Sequence, residues 1–290
     1  MDQPFLPLPP VFVSHGSPMT ALEPGAAGAF FEQLGPAIDA AFGRPQAIVA
    51  VSAHTRARLP VLLAAARHEA VYDFGGFDER LYRLRYDAPG APALAERVQA
   101  LLAAAGIDAQ RVDQGGLDHG IWTPLRYAYP AAEVPLLPLA LPADWPAPRL
   151  FALGEALAAL PAQRVWLLAT GGITHNLQRV FAHGLHPRDD EPEVAPSREF
   201  RAWFAQRSAE RDWPALLAWR EQAPHALDMH PSDEHLLPWF VAAGAGGSAH
   251  PPLRLHASVT AGSLGMDAYA FGAQAAVLGA ALGDMAPVSI

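Results

Sequence analysis

The feature that most restricts this chain is an alternation. Short runs rich in Val, Ile and Leu are separated by longer Ala/Leu-rich stretches with helical spacing. The runs are Val11-Phe12-Val13, Ala47 to Ser52, Val61 to Ala65, Leu136 to Leu139, Val165 to Ala169 and Leu253 to Val259. Between or beyond them, Ala91 to Ala105, Pro148 to Leu160, Ser197 to Ala209 and Asp233 to Ala243 read as helices. In the first of these, Leu94, Val98, Leu101 and Leu102 share one face. Ser197 and Ser232 are placed to cap the last two. Strands alternating with helices predict an α/β fold, with a central mixed β-sheet flanked by helices. The charged, proline-containing stretch Leu185 to Pro196 reads as a long surface loop. Strand-like segments continue past it to about Phe271, so residues 1–290 are expected to form one catalytic domain.

Composition removes several classes of function. Half the residues are hydrophobic, enough for a sizeable core. The net charge is −9 and the basic residues are scattered, which argues against nucleic acid or an anionic membrane as partner. No cysteine is present, so disulfides, thiolate metal ligands and a cysteine nucleophile are excluded. The N-terminal residues lack a basic region, and prolines break their apolar run, unlike a signal peptide. No stretch reaches the ~18 apolar residues of a membrane helix, so a cytoplasmic location is expected.

Twelve histidines remain as the chemically capable group. Three of them follow strand-like runs: His15 in Ser14-His15-Gly16-Ser17-Pro18, His54 after Val51-Ser52-Ala53, and His175 after Thr170-Gly171-Gly172-Ile173-Thr174. In open α/β sheets, ligands gather where strands end, so parallel neighbours would bring these imidazoles to one edge. Small residues frame each, and glycines beside His15 and His175 let the backbone approach a bound group. Gly116-Leu117-Asp118-His119-Gly120 adds an Asp-His pair, and His230-Pro231-Ser232-Asp233-Glu234-His235 leads into an apolar run. His68, His183, His186 and His250 lie in polar or loop contexts, and neither they nor His225 and His256 are given a role.

Taken together, these segments resemble the LigB-type (class III) extradiol ring-cleavage dioxygenases, in the branch similar to 4,5-DOPA dioxygenase. The matching stretches also include Tyr72-Asp73-Phe74-Gly75-Gly76-Phe77, Thr174-His175-Asn176-Leu177 and Pro231 through Pro238, all in the family's order. The resemblance implies one metal per chain at the sheet edge, with His15, His54 and His235 as ligands. It implies that His175 is either a further ligand or the acid/base group, and that His119 contacts substrate. It also implies Fe(II) for ring cleavage, with zinc as a metal found in relatives. The partners it implies are a small aromatic diol and O₂.

The third ligand is a choice between neighbours. Two His and one carboxylate are usual for ring-opening Fe(II) sites. On a helix, however, Glu234 and His235 would diverge by ~100°, and Glu234 in a first turn is already explained by the helix dipole. His235 is preferred, because it is the residue that the resemblance implies as ligand. Phe74, Phe77 and Trp122 are candidates to pack on an aromatic ring, and Arg126 is one cation able to hold a substrate carboxylate. Two other functions use the same residues: a zinc hydrolase activating water, or a non-catalytic binding protein on the same fold.

Overall fold

The structure is a computed structural model describing residues 6–181 and 191–285. Its centre is a nine-stranded sheet. In chain order the strands are β1 (Val11–Ser14), β2 (Ala47–Ser52), β3 (Arg56–Ala57), β4 (Val61–Leu63), β5 (Gln110–Val112), β6 (Leu136–Pro142), β7 (Val165–Gly171), β8 (Leu253–His256) and β9 (Ala268–Ala270). Their spatial order is β8-β9-β1-β7-β2-β6-β4-β5, with β3 paired to the end of β6. β1, β7, β2 and β6 are parallel. β9 runs antiparallel to β1, and β4 antiparallel to β6, which makes the sheet mixed. Strands from both sides of residues 182–190 enter this one sheet, as the continuation of strand-like segments to Phe271 implied.

Both faces of the sheet are covered, which is why the central strands show no polar alternation. Val11, Val13, Ile48, Ala50, Trp166 and Leu168 point to one core, and Phe12, Val49, Val51, Leu167 and Ala169 point to the other. On the first face lie α1 (Gly25–Phe42), α3 (His119–Ala128) and α7 (Ala275–Met285), through Phe31, Leu34, Ile121, Leu125 and Leu278. On the second lie α2 (Pro92–Ala104), α4 (Ala147–Ala156), α5 (Ala195–Glu210) and α6 (Leu237–Gly246). Leu94, Val98 and Leu102 are on the buried face of α2, as their spacing predicts, while Leu101 is partly buried at its edge.

Five local expectations are corrected. Ser197 does not cap α5: the helix begins at Ala195, with Pro196 in its first turn, and the Ser197 hydroxyl donates to Glu193 Oε1. Asp233 does not begin a helix, because α6 starts at Leu237 with Pro238 in its first turn. Ser232 Oγ there donates to Glu234 Oε1 instead of capping. Leu253 to Val259 is not one strand, since a register irregularity ends β8 at His256 and Val259–Thr260 pair with Leu264–Gly265 in a separate ladder. Of the expected loop Leu185 to Pro196, residues 185–190 lie outside the described residues, as do His183 and His186. His68, expected in a polar context, is fully buried.

Candidate metal centre

The registers place the site. Ser14 pairs with Gly171 and Ser52 with Thr170, so β1, β7 and β2 end level with one another. Whatever follows them must crowd one edge: His15 directly, His54 two residues past β2, His175 four past β7. His119 joins from the first residue of α3, and His235 from the turn before α6. Close approach demands glycine at two points. A Cβ on Gly171 would lie 1.9 Å from the His235 carbonyl oxygen, and one on Gly120 would lie 2.9 Å from the His15 ring. Gly171 lets the His235 turn rest on the strand, where the Gly172 N–H donates to the His235 carbonyl at 2.8 Å.

All five imidazoles are thereby brought together. Ring centroids of His15 and His54 are 5.0 Å apart, His15 and His235 5.6 Å, and His54 and His235 4.9 Å. His119 lies 4.2 Å from His54. His175 stacks on His235 at 3.3 Å with an interplanar angle of 8°. Donor atoms of His15, His54 and His119 lie within 4.8 Å of one another, and so do those of His175, Glu234 and His235. The trio named from sequence bridges these two groups. Glu234 and His235 are not on a helix, so the angular reason for separating them does not hold. Instead, Glu234 Oε1 sits 3.1 Å from His235 Nδ1.

Outer partners decide which ring nitrogens face inward. The Thr170 hydroxyl donates its one proton to the Gly120 carbonyl at 2.6 Å, so it can only accept from His15 Nδ1 at 2.9 Å. His15 Nε2 is therefore a lone pair, directed at His54 Nε2 3.1 Å away. His119 Nδ1 donates to Asp73 at 3.0 and 3.1 Å, and the His119 backbone N–H also donates to Asp73 at the start of α3. His235 Nδ1 donates to Glu234. Asp118 accepts from Ser52 Oγ at 2.7 Å and from Thr55 Oγ1, tying the end of β2 to α3.

Charge inside this cluster is disfavoured. Burial first, then the neighbouring imidazoles, hold His15 and His235 well below the ordinary histidine value. His54 is lowered by burial and by His119, against an opposing pull from Asp118, Asp73 and Glu234. Burial lowers His175 to about 4. Burial would raise the Asp73 carboxyl, but its hydrogen bonds to His119 outweigh that and leave it below the usual carboxylate value. Neutral imidazoles with lone pairs turned toward one another repel unless a cation lies between them. With the outer N–H groups of His15, His119 and His235 already bonded, this donor set fits a divalent metal.

His54, His119, His175 and His235 open into a cavity of about 1490 Å³. Phe74 and Phe77 line it, whereas Trp122 is 1% exposed, with its indole N–H donated to the Val71 carbonyl, and does not. Arg126 is in the last turn of α3, and the cations of the described lining are Arg80 and Arg83 instead. Sequence reading gave no role to Asp73 or Thr170, which orient His119 and His15, although both stand inside the quoted motifs. It also passed over His230, buried behind His175 with Nε2 donated to the Ile173 carbonyl. A carboxylate or hydroxyl one motif away from a histidine was the available signal.

Residues 9–272 match the family described as the catalytic LigB subunit of aromatic ring-opening dioxygenase. The chain belongs to this LigB family. Relatives named 4,5-DOPA dioxygenase extradiol include one from Beta vulgaris, 33% identical over 90% of this chain and 95% of its own length. Another, from Escherichia coli K12, is 34% identical over 89% of this chain and 93% of its own. The crystal structure of an uncharacterized Escherichia coli K12 protein matches with a TM-score of 0.74 and 30% identity, covering 91% of this chain and all of that one. Such LigB dioxygenases are metal-dependent, and the mixed sheet with histidines at its edge is their fold.

Proposed function

We propose that the whole chain is one cytoplasmic catalytic domain that opens the ring of a catechol-type aromatic with O₂. One Fe(II) is held by His15, His54 and His235, with zinc able to take its place. The observation that carries this is the inward-facing set of neutral imidazoles at the level ends of three parallel strands. Three protein ligands leave neighbouring positions open, as a diol binding through two oxygens needs. Fe(II), when bound, supplies charge that favours the catecholate and a redox path between ring and O₂.

The chain's own groups do the rest. Thr170 and Glu234 fix the His15 and His235 tautomers so that lone pairs face inward. His175, kept neutral by the burial that lowers it to about 4, accepts a catechol proton as the negative charge of the deprotonating diol offsets that burial, and returns it when the ring opens. Its parallel stack on His235, with ring centroids 3.3 Å apart, supports that role. His119, held by Asp73, contacts the substrate hydroxyl. Phe74 and Phe77 pack on the ring and exclude water.

The test is anaerobic reconstitution with Fe(II), followed by a catechol panel with O₂ uptake and product absorbance. About one O₂ consumed per ring opened is expected. Activity with Zn(II) in the absence of O₂ would instead indicate a hydrolase. His15→Ala and His54→Ala should each abolish metal binding, and parental metal content in either would contradict the assignment.

A further inference from the structure

The cavity is far larger than one catechol needs, and its described walls differ in character. Beyond His175, the short helix Leu177–Val180 runs along one side, and Phe181 follows it. Leu177, Val180, Phe181, Ala261 and Leu264 all line the cavity, and Val180, Phe181, Ala261 and Leu264 pack into one small apolar cluster. Leu177 is 47% exposed, an apolar side chain left open at the cavity wall. Ala261 holds a φ of 51°, a left-handed posture costly for a residue with a Cβ. That posture, with Gly262 beside it, closes the turn between Val259–Thr260 and Leu264–Gly265 and so sets Ala261 and Leu264 at the cavity wall.

Charge points the same way. The described lining carries five carboxylates, from Glu23, Asp73, Asp78, Glu79 and Glu234, against two guanidiniums, Arg80 and Arg83. Arg80 is already bound through Nε and Nη2 to the Asp78 carboxylate. It is also in the field of Glu23, while Arg83 is in that of Asp78. Glu234 in turn pairs with Arg56 at 3.9 Å and Asp73 accepts from His119, so the surplus of negative charge in the described lining rests on Glu23 and Glu79 against Arg83. A free carboxylate would meet it, whereas an apolar substituent would find a surface to cover.

We propose that Leu177, Val180, Phe181, Ala261 and Leu264 form a subsite for the ring substituent, selecting catechols with an apolar, non-anionic side group over carboxylated ones. This rests on the catechol reading of the site. The experiment is anaerobic calorimetric titration of the Fe(II)-loaded protein with 4-methylcatechol, 4-butylcatechol and 3,4-dihydroxyphenylacetate, followed by aeration and O₂ uptake. The butyl compound should bind ~10-fold tighter than the methyl compound, because its three added methylenes are partly buried, and dihydroxyphenylacetate should be the weakest. Leu177→Asp, at a half-open position unneeded for the core, should reduce the butyl-to-methyl ratio to roughly twofold or less. Dihydroxyphenylacetate binding tightest, or a ratio unmoved by Leu177→Asp, overturns the subsite even if rings are opened. The expected ranking without O₂ consumption upholds the subsite and overturns ring opening. Failure of all three compounds to bind overturns both.

Discussion

Replacing Thr170 by valine removes one hydroxyl and almost no volume, yet two buried groups depend on it. The His15 Nδ1–H would lose its acceptor and the Gly120 carbonyl its donor, both inside the protein. Leaving a buried polar group unsatisfied costs about 1–3 kcal/mol. Part of that penalty is escaped if the His15 proton moves to Nε2, but this blocks the lone pair now facing His54. Metal then has to displace that proton or accept a mis-set ring. Since about 1.4 kcal/mol is tenfold in affinity, the expected weakening is roughly 10- to 100-fold, the range usual for partners behind a metal ligand. Chelator competition under anaerobic conditions measures this on the folded protein. Thr170→Ser keeps the hydroxyl and should stay within about threefold of the parent, given that it loses only a methyl contact. Equal losses in the serine and valine variants would refute the reasoning, because packing rather than the hydroxyl would then be responsible. Parental affinity in Thr170→Val would refute it too.

Asp73→Asn should leave metal content near parental while lowering turnover about tenfold or more, because His119 loses the carboxylate that orients it; loss of metal would instead mark His119 as a ligand. Gly171→Ala should lower the melting temperature by several degrees and weaken metal binding together, since a Cβ 1.9 Å from the His235 carbonyl must push that turn outward; an unchanged melting curve would contradict the crowding. The metal-free protein should lose stability on acidification. Burial lowers His230 to about 3 and His175 to about 4, so between those values and the ordinary 6.5 the unfolded chain binds protons that the folded one refuses. Stability is then fully present above about pH 6.5 and falls below it by about 1.4 kcal/mol per pH unit for each such histidine. Urea titrations at pH 7, 6 and 5 that gave equal stabilities would oppose this.

The central strands were legible because runs such as Ile48-Val49-Ala50-Val51 are apolar on both faces and too short for anything else. The histidines that follow them were legible for the same reason, because a strand end announces an edge. Helix α1 was not, since Gly28, Gly35 and Pro36 interrupt it, yet packing of Phe31, Leu34 and Ile38 overrides those weak formers. Helix α3 was obscured in the same way by Gly120 and Pro124. Membership of the strand ends in one site depended on β7 lying between β1 and β2, an order that no local pattern encodes. The pairing of Asp73 with His119 spans 46 residues and was equally invisible.

That strand order has a consequence for assembly. His15 and His54 reside in the first fifth of the polypeptide, but the strand that sets them side by side arrives more than a hundred residues later in synthesis. On the proposed ligand assignment, a nascent chain released before Val165 would own both imidazoles and still lack the strand that sets them side by side. Capture of a cation there would reward only the completed sheet, and holding it would add to the stability of the molecule as a whole.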